Sequence, residues 1–356
     1  MPSPVHICSA LMAAMPAADL PWLGEVQTPP AMIPEAAASP GSLLVDGDGQ
    51  AITTAEAWNA RRGEIRAWWA EFMGLELDNR CDLAPEVLSE ETVGSVVRKL
   101  IRYRAEPDCW VEAYVLHPAE VAGKLPGVVV FHSTVDHTIR QPAGLEGPES
   151  KFMGLRLAEM GYVAACPRNF IWDYCGPLSY DEACAKLADR HPTWKGMGKM
   201  VYDGIRAVDY LETLDFVDMD RIGCIGHSLG AKEVVYAAAF DERLKAIVSS
   251  EGGIGLGYTN WEAPWYLGEG IKDETFDHDN HEVLSLIAPR AFLLIGGESA
   301  DGAISWPYIE RAKEVYDVVG AGDRVGLLTH TSGHAFPTVA QHCAYGWLDH
   351  FLKGED

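Results

Sequence analysis

Nowhere does the chain approach the ~20 consecutive apolar residues that a membrane helix needs, so no membrane partner is expected. It is also short of bases. Lys and Arg number 28 against 52 Asp and Glu, the net charge is −24, and no basic run occurs. That balance argues against nucleic acid and anionic membrane surfaces as partners. It also disfavours polyanionic substrates unless the binding cleft is locally positive. No C-x-x-C spacing occurs among the eight scattered cysteines, so a zinc site is not expected; disulfides are permitted but not required. His278, Asp279 and His281 lie close together in sequence, but nothing completes a ligand set, so neither metal nor cofactor is expected. There is no internal repeat and no low-complexity linker. The apolar stretch Ile7 to Ala18 is preceded by six residues without Lys or Arg, so a secretory n-region is missing. A cytoplasmic location is the expectation, with secretion as the alternative.

What remains is the composition of a globular protein, 48% hydrophobic and 22% charged over 356 residues. This length suits one large domain with insertions. Residues 1–45 read as a proline-rich arm that drapes over the domain or over a second copy in a homo-oligomer. Residues 46–356 read as the domain. Thr53-Thr54-Ala55-Glu56 has the form of a capping box opening a helix through Met73. Val93–Tyr103 and Cys109–Leu116 read as an antiparallel edge pair. Beyond Val128 to Phe131 helix and strand patterns alternate, which implies an α/β fold with a mostly parallel central sheet and helices on both faces.

The most informative segment is Gly226-His227-Ser228-Leu229-Gly230, a G-x-S-x-G nucleophile elbow. An apolar run, Asp220 to Ile225, precedes it as a buried strand, and Lys232 to Phe240 follows as a helix packed on a sheet. A serine hydroxyl is a poor nucleophile unless a base lies within hydrogen-bond reach and a third group orients that base. With this elbow the chain order is Ser, then Asp or Glu, then His. His334 lies in the loop Thr331 to Pro337 after the last strand and is the expected base, whereas His330 and His342 read as structural. For the acid, Asp301 in the turn after the strand Arg290–Gly297 is the first choice. Glu251, which ends the preceding strand and opens Glu251-Gly252-Gly253-Ile254-Gly255, is the alternative, and Glu298 is a third candidate.

A developing alkoxide needs preorganised N–H donors. One should be the amide of Leu229, after the nucleophile. The other should come from His132-Ser133-Thr134, after the strand Leu125–Phe131, with Ser133 and Thr134 both candidates. Two insertions, about 167–194 and 252–280, should shape a pocket. They offer Arg168, Trp172, Asp173 and Tyr174 from the first, and Tyr258, Trp261, Trp265 and Tyr266 from the second. Arg168 could hold a substrate carboxylate or brace its loop against Asp173. His132 and the two tryptophans Trp261 and Trp265 are further substrate-binding candidates.

Together these motifs resemble the α/β-hydrolase superfamily. The segments Trp58 to Arg66, Gln141 to Leu145, Asn260 to Tyr266 and Ile287 to Arg290 make the chain similar to its acetyl xylan esterase and dienelactone hydrolase-like serine esterases. A partial resemblance to glucuronoyl esterases rests on Lys232, four residues after Ser228, and on Glu251. Leu229 departs from it, since that family has an arginine there. Lys232 would then touch substrate; otherwise it reads as a surface lysine on a first helical turn.

The resemblance implies a serine carboxylic-ester hydrolase working through an acyl-enzyme on a carbohydrate ester or, failing that, a small-molecule aryl or alkyl ester. The two insertions, by bounding the pocket, add an expected preference for short acyl groups. A prolyl oligopeptidase-like hydrolase is a second reading, although the chain lacks room for the large N-terminal propeller of those enzymes. A non-catalytic binding protein on a hydrolase scaffold is a third.

Overall fold

The computed structural model describes residues 22–77, 80–172 and 179–354. Ile7 to Ala18, Cys8, Asp173, Tyr174 and Cys175 lie outside them. Among the described residues nine strands form one sheet. They are β1 (Glu86–Val93), β2 (Val96–Glu106), β3 (Cys109–Pro118), β4 (Leu125–Phe131), β5 (Val163–Pro167), β6 (Val217–His227), β7 (Leu244–Ser250), β8 (Ala291–Gly296) and β9 (Val325–Thr329). Their spatial order is β1-β2-β3-β5-β4-β6-β7-β8-β9. The first three strands and the β3–β5 contact are antiparallel, and the strands from β5 to β9 run parallel. This is an α/β-hydrolase fold. The antiparallel edge gains β1, which sequence reading left out because nearly all of its side chains are exposed and carry no burial pattern.

The helices are α1 (Leu23–Val26), α2 (Ala55–Met73), α3 (Met153–Glu159), α4 (Tyr180–Arg190), α5 (Gly196–Glu212), α6 (Leu229–Phe240), α7 (Asn280–Ser285), α8 (Trp306–Val318) and α9 (Thr338–Lys353). They cover both faces of the sheet, which is why the central strands read as continuous apolar runs. In β8, Phe292 and Leu294 enter one core, and Ala291, Leu293 and Ile295 the other. In β4, Val129 and Phe131 oppose Val128 and Val130 in the same way.

α2 is capped by Thr54, whose hydroxyl accepts from the Ala57 amide at 3.2 Å. The cap lies one residue beyond the expected Thr53, so Glu56 stands in the first turn and does not close a box. Within the expected arm, Trp22 and Val26 are buried on the β9–α9 side, Trp22 against Trp347. The Gln27 amide donates to the Asp323 carbonyl at 2.6 Å. Among the described residues no helix is long and apolar enough to cross a membrane.

Candidate active site

β6 delivers Ser228 to the first turn of α6. Its backbone sits at φ 60°, ψ −116°, a conformation that costs a non-glycine residue energy and lifts its side chain clear of both elements. The Ser228 amide donates to the Ser250 carbonyl of β7 at 2.9 Å and so pins the turn to the sheet. The two glycines have a steric cause. A Cβ on Gly226 would overlap the Gly230 carbonyl, and one on Gly230 would overlap the Phe131 carbonyl of β4.

Glu251 follows β7 in a second left-handed conformation, φ 58°. Its carboxylate is buried and accepts the Gly297 amide on Oε1. Oε2 accepts the Ala300 amide at 2.9 Å and the His334 Nδ1 proton at 3.1 Å. Burial pushes its pKa up, but the His334 bond and the two amides outweigh that and hold it below the ordinary carboxylate value. His334 itself is 46% exposed.

Asp301, the first choice from sequence, does not reach the histidine. Its oxygens are taken by the amides of Gly253 (2.7 Å) and Ile254 (2.8 Å) and the hydroxyl of Ser305 (2.8 Å). It ties the second insertion to the turn after β8. Burial, with the nearby Glu251 charge, raises its pKa against those three donors. The physical reason for the correction is reach. Glu251 leaves a strand end beside β8 with a longer side chain, while Asp301 is consumed by the backbone it folds around. Glu298 is exposed and accepts the Ala303 amide at 2.9 Å, a local loop contact.

Ser228, Leu229, Glu251 and His334 line one cavity of about 330 Å³ together with Thr134 and Lys232. Leu229 opens α6, where backbone amides have no intrahelical acceptor. Of the two candidates after β4, Thr134 lines the cavity, whereas the Ser133 amide faces the Gln141 side-chain oxygen at 3.4 Å. His132 lies behind them. It is buried, with Nδ1 on the Ser133 carbonyl (2.7 Å) and Nε2 accepting the Asn169 amide (3.2 Å). Burial lowers its pKa to about 4, so it is a neutral brace and not a cavity wall.

Three other expected substrate contacts are placed differently. Arg168 pairs with Glu112 at 2.5 Å and lies outside the cavity lining. Trp172 packs edge-on to His132 and Tyr180, which leaves Tyr180 to face the cavity. Trp261 is fully buried, with its Nε1 donating to the Gly253 carbonyl at 2.7 Å. Trp265 does line the cavity, as do Tyr266, Thr259 and Asn260. The sequence had no signal for Tyr180 beyond its place after the capping box Ser179–Glu182.

Lys232 is not a surface residue. It is buried, with Nζ 2.5 Å from the Thr259 hydroxyl, 3.8 Å from the Trp261 ring centroid and 4.6 Å from that of Tyr266. Burial brings its pKa down to about 7, although Asp301 and Glu262 act in the opposite direction. A basic side chain therefore stands inside the cavity of a strongly acidic protein. His278, Asp279 and His281 do not converge: His278 pairs with Glu282 at 2.7 Å and Asp279 accepts the Tyr308 hydroxyl at 2.6 Å. Among the described residues no cluster suited to a metal occurs.

Comparison with known proteins shows similarity in sequence and in fold. The dienelactone hydrolase family model matches residues 111–286. A putative hydrolase of Bacillus subtilis (strain 168), YtaP, is 28% identical over 264 residues, covering 67% of this chain and 83% of the relative. The carbohydrate esterase MZ0003, from an unknown prokaryotic organism, is 22% identical over 337 residues, 78% of each chain. A glucuronoyl esterase structure from Solibacter usitatus superposes with TM-score 0.71 at 20% identity, covering 90% of this chain and 99% of that one.

Proposed function

Since the chain has the α/β-hydrolase fold and matches the dienelactone hydrolase family over residues 111–286, we propose that it is a serine esterase. Ser228 attacks the ester carbonyl while His334 takes its proton. Glu251 holds the imidazole by Nδ1 and balances the imidazolium that forms. The amides of Leu229 and of the loop at Thr134 receive the oxyanion. His334 then protonates the leaving alcohol and activates the water that releases the acyl group. The observation that carries the reading is the Glu251–His334 contact at the rim of the cavity that Ser228 also lines. A binding protein on the same scaffold would have no use for a strained serine and a buried, ionised acid.

A cavity of about 330 Å³ with aromatic and hydroxyl-bearing walls suits a short acyl group or one sugar ring and not a fatty chain. Among acetyl, butyryl and palmitoyl esters of one alcohol, kcat/KM is expected to fall with chain length. A maximum at palmitoyl would contradict this view of the cavity.

Lys232 favours one refinement. A buried amine beside Thr259 and Asn260 offers hydrogen bonds to hydroxyl or carboxyl-derived oxygens, as in a uronoyl ester. The Solibacter structure is named a glucuronoyl esterase, and MZ0003 is named more broadly a carbohydrate esterase. Lys232→Met is then expected to lower kcat/KM by about 10-fold or more for methyl glucuronate and by much less for an aryl acetate, since a hydrogen bond to a charged group contributes about 1.5–3 kcal/mol. Equal losses on both esters would remove the sugar preference and leave a general short-acyl esterase.

A further inference from the structure

The paired strands β4 and β5 both lead into residues that line the cavity, Thr134 and Ile171. A buried histidine joins the two segments. His132 follows β4 directly, Asn169 stands two residues after β5, and His132 is 1% exposed. Its Nε2 lies 3.2 Å from the Asn169 backbone amide. A backbone amide can only donate, so Nε2 is the bare nitrogen and the proton of the neutral ring sits on Nδ1. Nδ1 lies 2.7 Å from the Ser133 carbonyl oxygen and donates to it. Burial lowers the pKa of the ring to about 4, which keeps it neutral where a histidine base operates. Two further contacts fix this arrangement. Trp172 packs edge-on to the ring at 5.1 Å, and the Asn169 Oδ1 accepts the Ile171 amide at 2.9 Å, closing the turn that carries the Asn169 amide.

The bond to Ser133 bears on one peptide unit. The Ser133 carbonyl and the Thr134 amide belong to the same planar trans group, so they point in opposite directions. With the carbonyl turned to the buried imidazole, the Thr134 N–H is turned away from it, toward the side on which Thr134 is exposed. Among the described residues the Thr134 amide meets no acceptor, whereas the Ser133 amide faces the Gln141 side-chain oxygen. Of the two amides open to the role from sequence, one is engaged and the other is free.

We propose that His132 is a positioning residue for ester hydrolysis: by donating from Nδ1 to the Ser133 carbonyl, it holds the Ser133–Thr134 peptide so that the Thr134 amide, with that of Leu229, meets the developing oxyanion. The proposal rests on the esterase reading of Ser228. The ring itself touches no substrate, so its effect passes through the peptide. An oxyanion donor acts on charge that exists only in the transition state, so its displacement lowers kcat and leaves KM little changed.

The test is steady-state hydrolysis of an aryl acetate by the full-length protein, wild type against His132→Asn, His132→Gln and His132→Leu, with thermal unfolding of each. The asparagine nitrogen can stand where Nδ1 stands and keeps a donor for Ser133. The glutamine carboxamide reaches the place of Nε2 instead, and leucine fills space without either bond. Since loss of one oxyanion donor costs about 10²–10³ in kcat, the glutamine and leucine variants are expected to lose at least about 10-fold, with KM within about threefold of wild type. The asparagine variant should recover most of that loss, to within about fivefold of wild-type kcat, whatever its unfolding temperature.

Three results would overturn the proposal: glutamine and leucine variants at wild-type kcat, equal kcat losses in all three, or losses confined to KM. If the leucine variant does not fold, the asparagine–glutamine pair decides. Failure of all three to fold makes His132 structural and also overturns it. Fluorophosphonate labelling of the wild-type protein separates the two levels. No adduct on Ser228 removes the esterase reading and this proposal with it, whereas a normal adduct with kcat unmoved in the glutamine and leucine variants removes only the role of His132.

Discussion

Ser228→Ala is expected to lower kcat on any ester substrate by at least about 10⁴-fold, because the hydroxyl forms the covalent intermediate and no neighbour can replace it. The fold should be unaffected. Alanine removes one oxygen from a residue that lines an open cavity, and the amide bond to Ser250 that holds the turn is a backbone bond that survives the change. The backbone strain at φ 60° is also the same for both residues. Wild-type-like thermal unfolding with activity near background is therefore the expected pair of results. Retention of more than a few per cent of kcat would move the nucleophile elsewhere.

The second large effect separates two carboxylates that sequence reading ranked in the opposite order. Glu251→Gln should reduce kcat by at least ten times more than Asp301→Asn, a difference of about 1.4 kcal/mol or more in barrier. The reason is the 3.1 Å contact from His334 Nδ1, which Asp301 does not share. Asp301→Asn should instead reduce stability. Its oxygens accept from two amides and a hydroxyl, and an asparagine NH₂ would turn a donor toward at least one of them, a loss on the order of 1–3 kcal/mol. The two variants are thus distinguished by what they damage: the glutamine variant should unfold cooperatively but turn over slowly, and the asparagine variant should turn over but unfold earlier. The reverse assignment of kcat losses would return Asp301 to the role first given to it.

How much of this was legible in the sequence depended on whether the signal was local. The elbow was fully legible, because its glycines answer to clashes within five residues and with the adjacent strand. His334 was legible from chain order, since only a loop after the last strand could return to the serine. The acid was not legible, because Asp301 and Glu251 both follow strands that end at the same rim. What separates them is three-dimensional: which side chain the amides of Gly253 and Ile254 consume, and which one a left-handed residue at φ 58° aims at the histidine. Lys232 shows the same limit. Its position after the serine was plain, but its burial against Trp261 and Tyr266 depends on the second insertion folding over it. Arg168 and Trp172 are engaged by partners distant in sequence, Glu112 and His132, which no local pattern reveals. Strand β1 was missed because an exposed edge has no hydrophobic alternation to read.

The central claim, that Ser228 is the activated nucleophile of an esterase centre, is tested most directly by locating a fluorophosphonate adduct. The full-length protein is treated with the probe near neutral pH, digested, and the modified peptide identified by mass spectrometry, with Glu251→Gln run alongside. The account predicts one adduct, on Ser228, formed in step with loss of esterase activity and formed much more slowly in the Glu251 variant. An unlabelled protein that still hydrolyses esters, or an adduct on another serine that abolishes activity, would contradict it.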